Sequence, residues 1–135
     1  MTTVISSGEL PLKNEHDIVH ARQTVRRLAQ EEKFSLVDQT KLVTAASELA
    51  RNALTHGGGG VLRWELLDND IRRGIRLAFS DQGPGIPNIE LALTDGWSSG
   101  NGMGLGLTGA RRLVNEFDLE SIVGVGTRVT VIRWK

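Results

Sequence analysis

The spacing of apolar residues along the chain changes several times, and each change marks an element. Thr3 to Ile5 is a short β-branched run that suits an edge strand. From Glu15, the residues Ile18, Ala21, Val25, Leu28 and Ala29 recur at helical spacing to about Glu32. Ser35 then stands where an N-cap would, with Asp38 three residues on, a capping-box-like start. The helix it opens takes Val37, Leu42, Ala45, Ala46, Leu49, Ala53 and Leu54 as its apolar set and stops at Gly57 to Gly60. Four glycines exceed what a helix C-cap needs, so this break is expected to have room to move.

Beyond the glycines the period becomes two. Leu62, Trp64 and Leu66 point one way, Arg63 and Glu65 the other. Asp68-Asn69-Asp70 reads as a turn, and Ile75, Leu77 and Phe79 alternate again, which predicts an antiparallel hairpin. Asp81 to Pro87 is a loop, Asn88 to Leu93 a short helix, and a glycine-rich stretch follows. The next helix carries Leu107, Ala110, Leu113, Val114 and Phe117. Two last strands, around Leu119 to Val123 and Thr127 to Trp134, are joined by Gly124-Val125-Gly126. The order β-α-α-β-β-α-α-β-β predicts one α/β (α+β) sandwich over residues 1–135. Its sheet is expected to be mixed but mostly antiparallel, with the helices layered on one face.

Composition narrows the class. Hydrophobic residues make up 39% and charged residues 24%, which suits a packed globular domain rather than a disordered chain. The formal net charge is zero, and only Arg72-Arg73 and Arg111-Arg112 hint at a basic cluster, so no nucleic-acid partner is expected. Cysteine is absent, which excludes disulfides and thiolate metal sites. No apolar run approaches the ~20 residues of a membrane span, and the start MTTVISSGEL does not read as a signal peptide, so the expected location is the cytoplasm with no membrane partner.

Three stretches carry candidate chemistry. Between Asp95 and Arg112 stand Gly96, Gly100, Gly102, Gly104, Gly106 and Gly109, just ahead of a helix. Gly104, Gly106 and Gly109 make a formal G-x-G-x-x-G, but the preceding TDGWSSGN is no buried strand, which argues against a dinucleotide fingerprint. No P-loop pattern is present. Glycines ahead of a helix start still favour a phosphate, because bare N–H groups approach an anion closely; a merely flexible loop fits as well. In DQGPGIP, Asp81 ends a buried strand beside two glycines, where it either accepts a hydrogen bond from a ligand amine or opens a turn. In ELARN, Glu48 and Asn52 share a helix face, with Thr44 and His56 near the same stripe. Such a pair either holds a hydrated Mg²⁺ and takes up a proton, or is simply solvated.

ELARN, DQGPGIP, GNGMGLGL and GVGT occur in that order. Together they resemble the N, G1, G2 and closing glycine-threonine boxes of the GHKL superfamily of gyrase, Hsp90, MutL and histidine-kinase catalytic domains. The resemblance covers roughly residues 35–130 and implies the Bergerat fold, with ATP between the helices and a lid. The chain is expected to leave no room for a transducer domain or a phosphoacceptor hairpin, and His16 and His20 read as surface histidines. What remains is the stand-alone serine-kinase branch, the anti-sigma-factor kinases and the RsbT-type switch kinases. EHDIVHARQ, SELARN, the run from Gly106 to Phe117 and the Arg133-Trp134 ending are closest to the latter. Departures are Asn88, where an acid is usual, Thr108, where proline is expected, and the tetraglycine.

The resemblance implies a role for each residue. Asp81 bonds the adenine amino group, supported by Thr127, while Gly83 and Gly85 let the purine approach the backbone. Gly100, Gly102, Gly104 and Gly106 belong to the ATP lid. Asn52 ligates Mg²⁺, and Glu48 is the catalytic base toward a serine hydroxyl. Arg51 contacts a phosphate or the substrate protein, or is a solvated arginine. The implied cofactors are ATP and Mg²⁺. The implied partners are a STAS-domain antagonist in a stressosome-like complex, as substrate, and a PP2C-type phosphatase downstream. The alternatives are an anti-sigma factor serine kinase that binds its sigma factor directly, and a non-catalytic module that binds partners under nucleotide control.

Overall fold

The computed structural model describes residues 1–94 and 103–135, with side chains from residue 106 onward in the second segment. The elements run β1 (Thr3–Leu12), α1 (Glu15–Glu31), α2 (Leu36–Thr55), β2 (Gly60–Asp68), β3 (Arg73–Asp81), α3 (Ile89–Ala92), α4 (Met103–Arg112), β4 (Glu116–Ile122) and β5 (Gly126–Trp134). The five strands form one sheet in the order β1-β2-β3-β5-β4.

The expected mixed sheet is corrected here: all four pairings are antiparallel. For β1 and β2 the reason is the α1–α2 hairpin. A strand followed by two antiparallel helices returns the chain in the opposite direction, so β2 lies antiparallel to β1. Helices and sheet share one core cluster: Ile18, Val25 and Leu28 of α1, Leu42 and Leu49 of α2, and Leu107 and Ala110 of α4 pack with Leu62, Ile75, Leu77, Phe79, Val129 and Val131. α2 lies at the centre of the helical layer. Ala45, Ala46, Ala50 and Ala53 are all buried on it, and such small side chains let neighbouring elements approach closely.

Local signals hold at the helix starts. Ser35 caps α2 by accepting from the Asp38 N–H at 3.1 Å. Asn88 caps α3 through the Leu91 N–H at 2.9 Å, which an acid would also do. The 68–70 turn is built from side chains, with Asn69 accepting from the N–H groups of Ile71 and Arg72.

Other boundaries move for tertiary reasons. β1 runs on through Ser6, Ser7, Gly8 and Pro11, because β2 supplies the ladder and the Trp64 indole covers Gly8, where a Cβ would meet the ring at 2.6 Å. Val37 is 63% exposed rather than part of the core, and Phe34, just ahead of the helix, is buried instead. The last helix ends at Arg112, so Leu113, Val114 and Phe117 pack on the core from a turn and from β4. β4 starts at Glu116 because residues 115–117 pair with β5: the Asn115 N–H donates to the Ile132 carbonyl, and Phe117 stands opposite Val131.

Candidate functional site

A cleft of about 410 Å³, counting its open mouth, lies between α2, α4 and the ends of β3 and β5. Leu49, Ala53, Phe79, Ile86, Leu107 and Val129 make its apolar walls, and Asn52, His56, Asp81 and Thr127 its polar points. That pattern, few polar groups on mostly apolar walls, is what a small-molecule site requires.

Sheet register assembles the inner end. Asp81 stands opposite Thr127 across β3–β5, and Thr127 stands opposite Ser121 across β5–β4. Three polar residues from distant sequence positions thereby form one row on the helix side of the sheet. Asp81 Oδ1 accepts from the Gly83 N–H at 2.9 Å, an Asx-type turn that starts the following loop. Ser121 Oγ and Thr127 Oγ1 are 2.8 Å apart. Ser121 also accepts from the Ile86 N–H at 2.8 Å.

Glycine is required around this row by close approach. A Cβ on Gly83 would meet Gly57 Cα at 2.6 Å, and one on Gly57 would run into the Asp81 side chain. Gly85 has φ +80° and backs onto the Ile122 carbonyl, where a Cβ would come within 2.6 Å. The freedom expected of the tetraglycine is therefore confined to Gly58, which alone of the four has open space around it. Gly57, Gly59 and Gly60 all sit against neighbouring atoms.

At the outer end α4 crosses α2. A Cβ on Gly106 would meet both amide atoms of Asn52 at 3.2 Å and Glu48 Oε2 at 3.3 Å. Glu48 and Asn52 thus meet the bare backbone of the same helix. Asn52 is half-buried and its Nδ2 has no hydrogen-bond partner among the described residues. A buried polar atom without a partner costs about 1–3 kcal/mol. Glu48 is exposed, so a large substrate has access to it.

The expected site residues fall into three groups. Asn52, Asp81, Gly85 and Thr127 line one cleft, with Gly83, Gly106 and Glu48 beside it. Gly104 and Gly106 were expected in a lid loop, but both lie in α4. A glycine inside a helix costs roughly 1 kcal/mol against alanine, and at Gly106 the approach of Asn52 and Glu48 explains it. Gly100 and Gly102 lie outside the described residues. Arg51 faces Glu15 of α1, with Nη1–Oε1 at 2.8 Å and Nη2–Oε2 at 3.2 Å. His16 and His20 are exposed on α1, and Thr44 is exposed on α2.

Sequence reasoning places His56 near the Glu48–Asn52 stripe without giving it a role, and it misses Ser121. His56 lines the cleft, and its burial holds the imidazole below its ordinary pKa, while the charge of Asp81 pulls the other way. Ser121 has no sequence signal beyond standing six residues before Thr127; only the β4–β5 register brings it in.

The donor set fits a nucleotide with magnesium. The unpartnered Asn52 Nδ2 is a donor for an anionic oxygen, and the Oδ1 of the same amide is the atom that could meet a cation. Among the described residues no three His, Cys, Asp or Glu side chains converge as a cage. An ion here would therefore share Asn52 with phosphate oxygens and water, as magnesium commonly does.

Comparison with known proteins shows the family. Residues 37–135 match the family described as histidine kinase-, DNA gyrase B- and HSP90-like ATPases. A serine/threonine-protein kinase, RsbT, of Bacillus subtilis (strain 168) is 43% identical over 123 residues, which cover 91% of this chain and 92% of that protein. Among solved structures, the RsbU and RsbW domains of a Mycobacterium tuberculosis protein superpose with a TM-score of 0.63 at 19% identity, over 96% of this chain and 32% of that one. The SiaB–SiaC complex of Pseudomonas aeruginosa gives a TM-score of 0.54 at 10% identity, over 98% of this chain and 91% of that one. At such identities the two structures share the fold.

Proposed function

The chain belongs to the histidine kinase-, DNA gyrase B- and HSP90-like ATPase family and is a protein serine/threonine kinase resembling RsbT; on that premise we propose that it moves the γ-phosphoryl group of Mg-ATP to a serine or threonine of a STAS-domain antagonist protein. In this reading it is a partner-switching regulator in stress signalling, and its release from the antagonist activates a PP2C-type phosphatase. The observation that carries the reading is one cleft with Asp81 and Thr127 at its inner end and Asn52, with Glu48 beside it, at its outer end.

The inner end binds and orients. Asp81 accepts a hydrogen bond from the adenine amino group, Thr127 supports it, and Phe79, Ile86 and Val129 flank the ring. The triphosphate then runs out along α2 toward Gly106, and Asn52 holds the magnesium. A magnesium ion held there would supply neutralisation of phosphate charge. Glu48 takes the proton from the substrate hydroxyl as its oxygen attacks the γ-phosphorus and ADP leaves. Phosphoryl transfer is mostly positioning and charge neutralisation, so one base, one metal ligand and backbone donors suffice. The exposure of Glu48 suits a hydroxyl presented by another protein rather than by a small molecule.

The test is incubation of the purified chain with a candidate STAS-domain protein, Mg²⁺ and γ-labelled ATP. Label is expected on a serine or threonine of that protein, and none without Mg²⁺. If nucleotide binds but no label is transferred to any STAS-domain partner, the chain is a nucleotide-dependent binding module instead.

A further inference from the structure

The loop from Gln82 to Pro87 leaves the ladder of β3, so its backbone must find partners elsewhere. Ile86 is 8% exposed, and a buried N–H needs an acceptor. The acceptor is the hydroxyl of Ser121, 35 residues away on β4, at 2.8 Å. A second tie from the same hairpin runs from the Gly124 N–H to the Pro84 carbonyl at 2.9 Å. The β4–β5 hairpin therefore braces this loop.

The Ser121 hydroxyl also sets the polarity of its neighbour. A serine hydroxyl has one proton and two lone pairs. The Ile86 N–H uses one lone pair. For the proton there are two acceptors, Thr127 Oγ1 at 2.8 Å and the Gly126 carbonyl at 3.3 Å. The shorter contact has the length of a good O–H···O bond with either oxygen as donor, and the longer one does not. When Ser121 is the donor to Thr127, the proton of Thr127 is left for the cleft. Asp81 stands directly across the strand pair. The pocket edge then presents an acceptor at Asp81 beside a donor at Thr127. Adenine offers the complement, an amino donor beside a ring-nitrogen acceptor. Guanine offers the reverse, a carbonyl acceptor beside an N–H donor.

We propose that Ser121 is a positioning and specificity-determining residue of the nucleotide pocket, which pins the Ile86 amide and turns the Thr127 hydroxyl into a donor matched to adenine. This rests on the cleft's being the ATP site. Ser121 touches no ligand; it acts through Ile86 and Thr127.

The experiment is calorimetric titration of the intact protein with Mg-ATP and with Mg-GTP, comparing the parent with Ser121→Ala, Ser121→Cys and Ser121→Thr. Ser121→Ala loses both hydrogen bonds and is expected to bind ATP about 10- to 30-fold more weakly. Its GTP affinity is expected to change far less, so the ATP preference narrows. Ser121→Cys fills the same space with a poor donor and should follow Ser121→Ala, which keeps the test intact if the alanine variant folds badly. Ser121→Thr restores a hydroxyl and should recover ATP affinity to within about threefold. A purely structural serine would lower the unfolding midpoint and weaken both nucleotides by the same factor, and that result overturns the proposal. Unchanged ATP affinity in Ser121→Ala overturns it too, and leaves the ATP site standing. A parent that binds neither nucleotide overturns the reading of the cleft and this inference with it.

Discussion

At the strand end of the cleft, Asp81, Thr127 and Ser121 direct their polar atoms at one another and at the backbone. At the helix end, Asn52 keeps a buried amide nitrogen with no partner among the described residues, and Glu48 stands open to solvent beside it. One end is fixed by internal hydrogen bonds before a ligand arrives, so it can select by shape and hydrogen-bond pattern at little reorganisation cost. The other carries a deficit that a ligand removes, so binding there is coupled to the chemistry. In the proposed reading the first is the recognition end and the second the reacting end.

The largest effects should come from breaking the strand end. Exchange of ATP for GTP would put a carbonyl oxygen against Asp81 and leave a polar pair unmatched. A buried site of this kind discriminates by up to about 10⁴-fold, and a partly open one by less. Asp81→Asn should lose tight ATP binding, by about 10²-fold or more, while circular dichroism shows the fold retained. Equal titration affinities of the parent for ATP and GTP would erase the proposed distinction between the two ends.

The helix end should divide into two behaviours. Glu48→Gln should bind Mg-ATP nearly as the parent does, yet transfer phosphate about 10²–10⁴-fold more slowly in single-turnover assays, because the amide cannot take the proton. Asn52→Ala should weaken Mg-ATP binding instead. Without nucleotide its unfolding midpoint should match or exceed the parent's, since the substitution removes a buried donor that had no acceptor. A clear loss of stability in nucleotide-free Asn52→Ala would mean the amide is not idle.

The smallest effect concerns His56, between the two ends. Burial holds its folded pKa below the ordinary value near 6.5. An unfolded chain therefore takes up a proton near pH 6.5 while the folded chain stays neutral. The resulting stability is fully present above that pH and is lost as pH falls through the folded pKa. Urea midpoints between pH 7.5 and 5 should show a shallow decline that is flatter in His56→Gln. An identical slope in the two proteins would remove His56 from the pH response.

Much of the site was legible because its parts are local. Glu48 and Asn52 share a face by helical periodicity alone, and Asp81 with its glycines marks the end of an alternating strand. The Ser35 and Asn88 caps, the 68–70 turn and the β2–β3 hairpin follow from short-range chemistry in the same way. Their order along the chain carried the family resemblance. Illegible parts depended on pairing between distant segments. Serines, a glycine and a proline hide most of β1, which exists because β2 lies beside it. Phe117 continues a helical spacing yet enters β4, because β5 offers a ladder that outweighs one more turn of helix.

Local spacing and hydrogen-bonding chemistry thus determined, from the sequence by itself, which elements form, most of the residues that face the core and which side chains carry charge near the glycines. The tertiary structure alone decided that every pairing is antiparallel, that Gly106 belongs to a helix pressed against Asn52, that Arg51 faces Glu15, and that Ser121 reaches Ile86 and Thr127. The physical reason is that strand register and helix crossing are set by burying one shared apolar surface. That sum runs over the whole chain, so no short window of residues contains it.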